Sequence, residues 1–126
     1  MSYQTLFDEA AKVLGTFSLS DSSFTAGSVA SALVTEKGNV FTGICIDVAC
    51  GLGFCAEHSA ISDMLKHRET LISEIIAINK TGVIPPCGRC RELIYQINKQ
   101  NIDTKVHLSK AEVLSLRELL PNRWEK

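Results

Sequence analysis

Two short segments carry the residues best suited to chemistry: Cys55-Ala56-Glu57 and Pro86-Cys87-Gly88-Arg89-Cys90. Cys87 and Cys90 are three positions apart, so on a helix both thiols lie on one face, one turn above the other. Each segment reads as the opening of a helix, where the partial positive charge of the N-terminus favours a thiolate. If the two helices start side by side at one edge of a sheet, three thiolates converge on a tetrahedral zinc ion. Its fourth position is left to water, as in a catalytic centre. Zinc brings the pKa of such a water toward ~7, and a carboxylate must then take the proton and pass it to a leaving group. Glu57, two residues from Cys55 in the same first turn, can reach that water without binding the metal.

The rest of the chain supplies the frame. Residues 3–15 read as an amphipathic helix, with Leu6, Phe7, Ala10, Val13 and Leu14 at helical spacing and Gly15 as its stop. Residues 16–27 are rich in Ser, Thr and Asp and read as an irregular connection. A β-hairpin follows, with strands over 29–35 and 40–47 joined by Lys37-Gly38-Asn39. The chain then alternates: a helix over 55–68, an isoleucine-rich strand over 72–79 suited to burial on both faces, and a helix from about Cys87. A strand over 105–108 and a closing helix over 114–120, stopped by Pro121, complete the order α-β-β-α-β-α-β-α. A hairpin followed by two crossover units predicts one mixed sheet with helices on both faces, an α/β/α three-layer sandwich. No repeat, linker or low-complexity tract interrupts it, so residues 1–126 read as a single domain.

Composition narrows the function. Hydrophobic residues make up 45 % and charged residues 21 % of the 126, with a net charge of −1 and no basic run. Binding to DNA or RNA rests on Lys and Arg neutralising phosphates, so a polymeric nucleic-acid partner is not indicated, and a small neutral substrate fits better. No stretch reaches the roughly 18–20 apolar residues of a membrane helix, and the polar, acidic N-terminus lacks a signal-peptide core. A cytoplasmic location is expected. There the five cysteines remain free thiols unless a metal or a reaction uses them.

The paired motifs resemble those of the zinc deaminases, in which Cys-x-Glu or His-x-Glu precedes Pro-Cys-x-x-Cys. The chain is similar to the cytidine deaminase family in its three-cysteine form, and within it to the branch of the blasticidin S deaminases. The shared stretches are Ser28-Val29-Ala30-Ser31-Ala32, Phe41-Thr42-Gly43, Cys55-Ala56-Glu57, Pro86-Cys87-Gly88-Arg89-Cys90-Arg91 and Arg117-Glu118-Leu119-Leu120-Pro121. They run from the first strand to the last helix. The resemblance implies a hydrolytic deaminase, usually a homotetramer, with zinc on Cys55, Cys87 and Cys90 and with Glu57 as general acid and base. The backbone of Ala56 and the Pro85 carbonyl would meet the edge of the base. The implied substrates are an aminopyrimidine nucleoside such as cytidine or deoxycytidine, and water; the alternative substrate is a nucleoside antibiotic of the blasticidin S type.

Two departures from the family pattern matter. Family members usually carry Asn-x-Glu late in the second strand to hold the ribose, and this chain has Cys45-Ile46-Asp47. Asp47 can still accept a hydroxyl hydrogen bond, or it can cap a loop; Cys45 cannot replace an amide. Many three-cysteine members place Arg after the glutamate, and here His58 stands there. Three thiolates around Zn²⁺ carry a net negative charge, which Arg89, Arg91 or a protonated His58 would soften, Arg91 being favoured. Phe24 can stack on a base or simply pack, and Trp124 can be a lid or an anchor for the chain end. His67 and His107 read as surface or strand residues, and Cys45 and Cys50 as buried or loop thiols. A closed structural zinc site would need Cys50 or His58 as a fourth ligand and would give Glu57 no role, leaving a non-catalytic zinc-stabilised module.

Overall fold

The turn at Lys37-Gly38-Asn39 folds the chain back on itself, with Gly38 in the left-handed region at φ 86° and hydrogen bonds between Thr35 and Asn39 closing it. Around this hairpin the computed structural model, which describes residues 2–126, arranges its elements in chain order. They are α1 (Tyr3–Ala11), β1 (Phe17–Ser18), β2 (Thr25–Thr35), β3 (Val40–Asp47), α2 (Ala56–Lys66), β4 (Ile72–Asn79), β5 (Gly82–Ile84) and α3 (Gly88–Ile97). A 3₁₀ turn (Lys99–Asp103), β6 (Lys105–His107), β7 (Val113–Ser115) and the single-turn α4 (Leu116–Leu119) follow.

The seven strands form one mixed sheet. Residues 30–34 of β2 pair antiparallel with both β3 and β4, so those two strands lie on opposite edges of β2. β4 then pairs in parallel with β6, as a crossover through α3 requires, and β7 closes that edge antiparallel to β6. β1 and β5 are short additions beside β2 and β4. The sheet buries both faces. Leu6 and Ala10 of α1 pack on Ala30, Ala32, Val34, Ile76 and Ile78, while α2 and α3 cover Leu33, Phe41, Ile75 and Val106 with Ile61, Met64 and Ile94. Alternation along β4 explains the two cores: Ile75 points to one and Ile76 to the other. The three-layer α/β/α architecture expected from the element order is the one observed.

Differences are local. The stretch 16–27 is not wholly irregular, since Phe17 and Ser18 pair with Ala26 and Thr25 and β2 begins at Thr25. The helix expected over 114–120 starts only at Leu116, because Val113–Ser115 pair with β6 and Ser115 caps the turn in a capping box with Glu118. The first helix stops at Ala11 rather than at Gly15. Among the described residues no helix is long and apolar enough to cross a membrane.

Candidate metal centre and its cavity

Close backbone packing fixes where the two functional helices begin. A Cβ on Gly43 of β3 would lie 2.3 Å from the Ala60 nitrogen and 2.5 Å from Ser59 Cβ, so only glycine lets α2 lie this close to the strand. On the strand side, Phe54 exchanges two backbone hydrogen bonds with Ile46, at 3.0 and 3.1 Å, and so anchors the residue before Cys55. Cys55 is then the extended N-cap of α2, and Cys87 occupies the same position on α3. Proline residues 85 and 86 keep the approach to α3 extended. Arg91 secures that approach from below: its Nε donates to the Pro86 carbonyl at 2.9 Å, and its guanidinium also donates to the Leu119 carbonyl at 3.1 Å.

The two helix starts bring their thiols together. Cys55 Sγ and Cys87 Sγ are 3.5 Å apart, and Cys87 Sγ and Cys90 Sγ 3.4 Å. The cysteines are free thiols. Zinc–sulfur bonds of about 2.3 Å in a tetrahedron imply sulfur–sulfur edges of roughly 3.8 Å, so this spacing suits zinc after a shift of a few tenths of an ångström. A fourth donor stands beside them. His58 Nδ1 is 3.6 Å from Cys90 Sγ, and ligand atoms of Cys55, His58 and Cys90 all lie within 4.8 Å of one another. The donor set fits zinc, as thiolates and imidazole are its preferred protein ligands. Cys50 takes no part: it is exposed on the loop before Phe54, at φ 61°.

Electrostatics are more varied than helix ends alone predict. Burial would raise the Cys87 thiol, but hydrogen bonds from the N–H groups of Cys90 and Arg89 and from the neighbouring thiols outweigh it and hold Cys87 below its ordinary value. Cys55 and Cys90 instead go up, first through burial; Cys90 is wholly buried and also feels the charge of Glu57. A divalent cation among these groups reverses that preference. Burial likewise raises Glu57, whose side chain is 4 % exposed, partly countered by its own N–H and the Cys90 thiol. The His58 pKa goes down, through burial and then the nearby charge of Arg89, which works against the protonated ring.

Next to the thiols opens a cavity of about 470 Å³. Its lining includes Cys55, Ala56, Glu57, Pro85, Cys87 and Arg89 from the two helix starts and their approaches, and Ser28, Val29, Cys45, Ile46 and Asp47 from β2 and β3. Of the residues singled out in the sequence, Phe24 is not on this lining, and Arg91 serves backbone carbonyls rather than sulfur. Trp124 is 80 % exposed, its N–H bonded to Glu92. His67 packs on Phe41 at the surface, and buried His107 pairs with Glu74 at 2.9 Å. Ser28 is the residue that motif reading missed. It lay inside a matched stretch, but a β-strand serine carries no signal of facing a cavity.

Thiols converging at two helix starts, beside a buried carboxylate on an α/β/α sheet, define the class of zinc-dependent aminohydrolases. Residues 2–106 match the sequence profile described as the cytidine and deoxycytidylate deaminase zinc-binding region. The chain belongs to that family and is a zinc-dependent deaminase. Among solved structures, cytidine deaminase from Burkholderia pseudomallei is 29 % identical, with a TM-score of 0.79 over 98 % of this chain and 100 % of that one. Cytidine deaminase from Mycobacterium leprae is 26 % identical, with a TM-score of 0.80 over 97 % and 99 %. The Mycobacterium tuberculosis enzyme shares the fold at 22 % identity and a TM-score of 0.82, over 100 % and 99 %.

Proposed function

We propose that this chain, acting as one catalytic domain, removes the amino group of a free cytosine-bearing nucleoside, with zinc on Cys55, Cys87 and Cys90 and Glu57 as the proton carrier. The observation that carries this reading is a buried carboxyl lining the same cavity as two of the three convergent thiols. Zinc bound there supplies a Lewis acid that makes water nucleophilic near neutral pH. Glu57 takes the proton of the water that attacks C4 of the base and places it on ring N3. It then carries the hydroxyl proton to the amino nitrogen, so that the C4–N bond breaks, ammonia leaves and a carbonyl remains at C4. Burial suits Glu57 to this shuttling, since it brings the carboxyl nearer to neutrality than an exposed one. The Ala56 backbone and the Pro85 carbonyl hold the edge of the base, and Asp47 and Cys45 face the sugar across the cavity.

Cytidine or deoxycytidine is the substrate this arrangement serves best. A blasticidin S-type nucleoside antibiotic is the second reading, favoured by Cys45 standing where the family usually places an amide. His58 beside Cys90 favours one further alternative, a closed Cys₃His site in a non-catalytic module. Exposed Phe17, Leu52 and Trp124 are consistent with assembly, for which a cytoplasmic homotetramer is proposed. The test follows ultraviolet absorbance of zinc-loaded protein with cytidine, deoxycytidine, cytosine and blasticidin S, beside Glu57→Gln. Loss of the aminopyrimidine signal, falling roughly 10²–10⁴-fold in the variant with zinc retained, is expected. Inertness toward all four at one zinc per chain would overturn the nucleoside reading in favour of the closed site.

A further inference from the structure

The β2–β3 ladder breaks beside the cavity. Ala26 pairs with Ile46 and Ala30 with Ile44, so Gly27, Ser28 and Val29 together oppose the single residue Cys45. Such a bulge turns side chains out of the regular alternation, and bulges recur next to active sites. Glycine is required at its first position: Gly27 has φ 86°, and a Cβ there would lie 2.2 Å from the Gly15 carbonyl oxygen. The break sends the Val29 N–H to Cys45 Sγ, at 3.3 Å, and turns Ser28 into the cavity lining.

Ser28, Cys45 and Asp47 then form a closed set of contacts. Ser28 Oγ lies 3.2 Å from Cys45 Sγ and 3.4 Å from Asp47 Oδ2, and Cys45 Sγ lies 3.5 Å from the same Oδ2. Two protons are available, one on the hydroxyl and one on the thiol. Whether the thiol donates to the hydroxyl, the hydroxyl to the thiol, or both to the carboxylate, at least one proton reaches Asp47 Oδ2. That oxygen is therefore held, while the other carboxylate oxygen has no protein partner among the described residues. Asp47 is exposed on its strand, and among the described residues no cationic side chain forms an ion pair with it. Arg89 is the cationic side chain of the lining.

We propose that Ser28 is a positioning residue for Asp47: with Cys45 it orients the carboxylate so that one oxygen is a fixed hydrogen-bond acceptor for a sugar hydroxyl of the substrate. This rests on the nucleoside reading of the cavity. It makes the bulge a specificity device, because the acceptor's direction depends on a serine that regular pairing would not aim there.

The test is equilibrium binding of cytidine and 2′,3′-dideoxycytidine, which lacks the sugar-ring hydroxyls, to zinc-loaded protein in a Glu57→Gln background that prevents turnover. Cytidine should bind more tightly by roughly ten- to a hundredfold, the worth of one hydrogen bond to a charged acceptor. Asp47→Asn should bring the ratio of the two affinities close to one, Ser28→Ala should lower it most of the way, and Ser28→Thr, which keeps the hydroxyl, should preserve it. A Ser28→Ala variant that weakens both ligands equally, or leaves the ratio unchanged, overturns the proposal, as does a parent protein that binds neither or does not discriminate. Asp47→Asn alters an exposed side chain, so the ratio can be read even if Ser28→Ala fails to fold; an unchanged ratio in that variant is again a refutation. Turnover by the Glu57 protein is scored separately. If cytidine is discriminated in binding but never deaminated, the deaminase reading falls while this one stands.

Discussion

Replacing Gly43 by alanine tests whether the strand truly sets the position of the catalytic helix. The added methyl carbon would sit 2.3 Å from the Ala60 nitrogen, 2.5 Å from Ser59 Cβ and 2.7 Å from the Ser59 carbonyl carbon. Ordinary contact begins near 3.4 Å, so α2 must retreat by about 1 Å, and two of the three opposing atoms are backbone that cannot rotate away. Overpacking of this kind costs roughly 1–3 kcal/mol, which in a domain of this size lowers Tm by roughly 4–11 °C. The larger effect falls on chemistry. Cys55 and Glu57 ride on the first turn of α2 while Cys87 and Cys90 ride on α3, so a shift of one helix opens the thiol cluster and moves the carboxyl from the reacting atoms. A misplacement of that size is worth about 10²-fold in rate. Differential scanning calorimetry, zinc titration and cytidine turnover on Gly43→Ala should show a modest loss of stability and a much larger loss of kcat/KM. Wild-type turnover and zinc affinity in that variant would refute the claim that β3 positions α2.

Three further outcomes are expected. Asn101 is fully buried and bonds the Ile72 N–H and the carbonyls of Thr70 and Ile94, so Asn101→Ala should cost roughly 2–5 kcal/mol by urea unfolding; a loss under 1 kcal/mol would be inconsistent with that network. Cys90→Ser should abolish stoichiometric zinc binding, whereas His58→Ala should leave one zinc per chain and alter only its affinity; equal loss in both would indicate the closed four-ligand site. Hydrogen bonds from Thr35 and then Asn39 hold the Glu69 carboxyl below its ordinary value. Its contribution to stability is thus complete above the unfolded-state value and fades as pH falls through the lowered folded one. Glu69→Gln should remove that share of the acid-side slope in a Tm-against-pH series, and an identical slope in both proteins would count against it.

Long elements were legible because their patterns repeat. The isoleucine run of β4 and the β-rich run of β3 matched both strands to the residue, and Cys55 and Cys87 stand at the helix starts read for their segments. β1, β5 and β7 span two or three residues each, too few for any period to register. The apolar residues of 114–120 do recur at helical spacing, but pairing with β6 claimed Leu114 and Ser115, and local propensity yielded to the sheet. β2 was read too short because Gly27 and Ser28 are poor strand formers, and the bulge they build is decided by tertiary contact with Gly15 and Cys45. The approach of His58 to Cys90 and the engagement of Arg91 with two carbonyls depend on how α2, α3 and α4 meet, which no spacing along one segment encodes.

The Arg91 bonds give the last helical turn a mechanical role. One guanidinium spans the Pro86 carbonyl, immediately before Cys87, and the Leu119 carbonyl, at the close of the last helical turn. The turn around Leu119 is thereby a strut beneath the loop that presents Cys87, though Arg91 and Leu119 lie 28 positions apart in the chain. Disturbing that turn, by truncation before Leu119 or by a bulky group packed against it, would relax the loop without touching any thiol. The turn around Leu119 is thus a remote handle on the tension of the metal site.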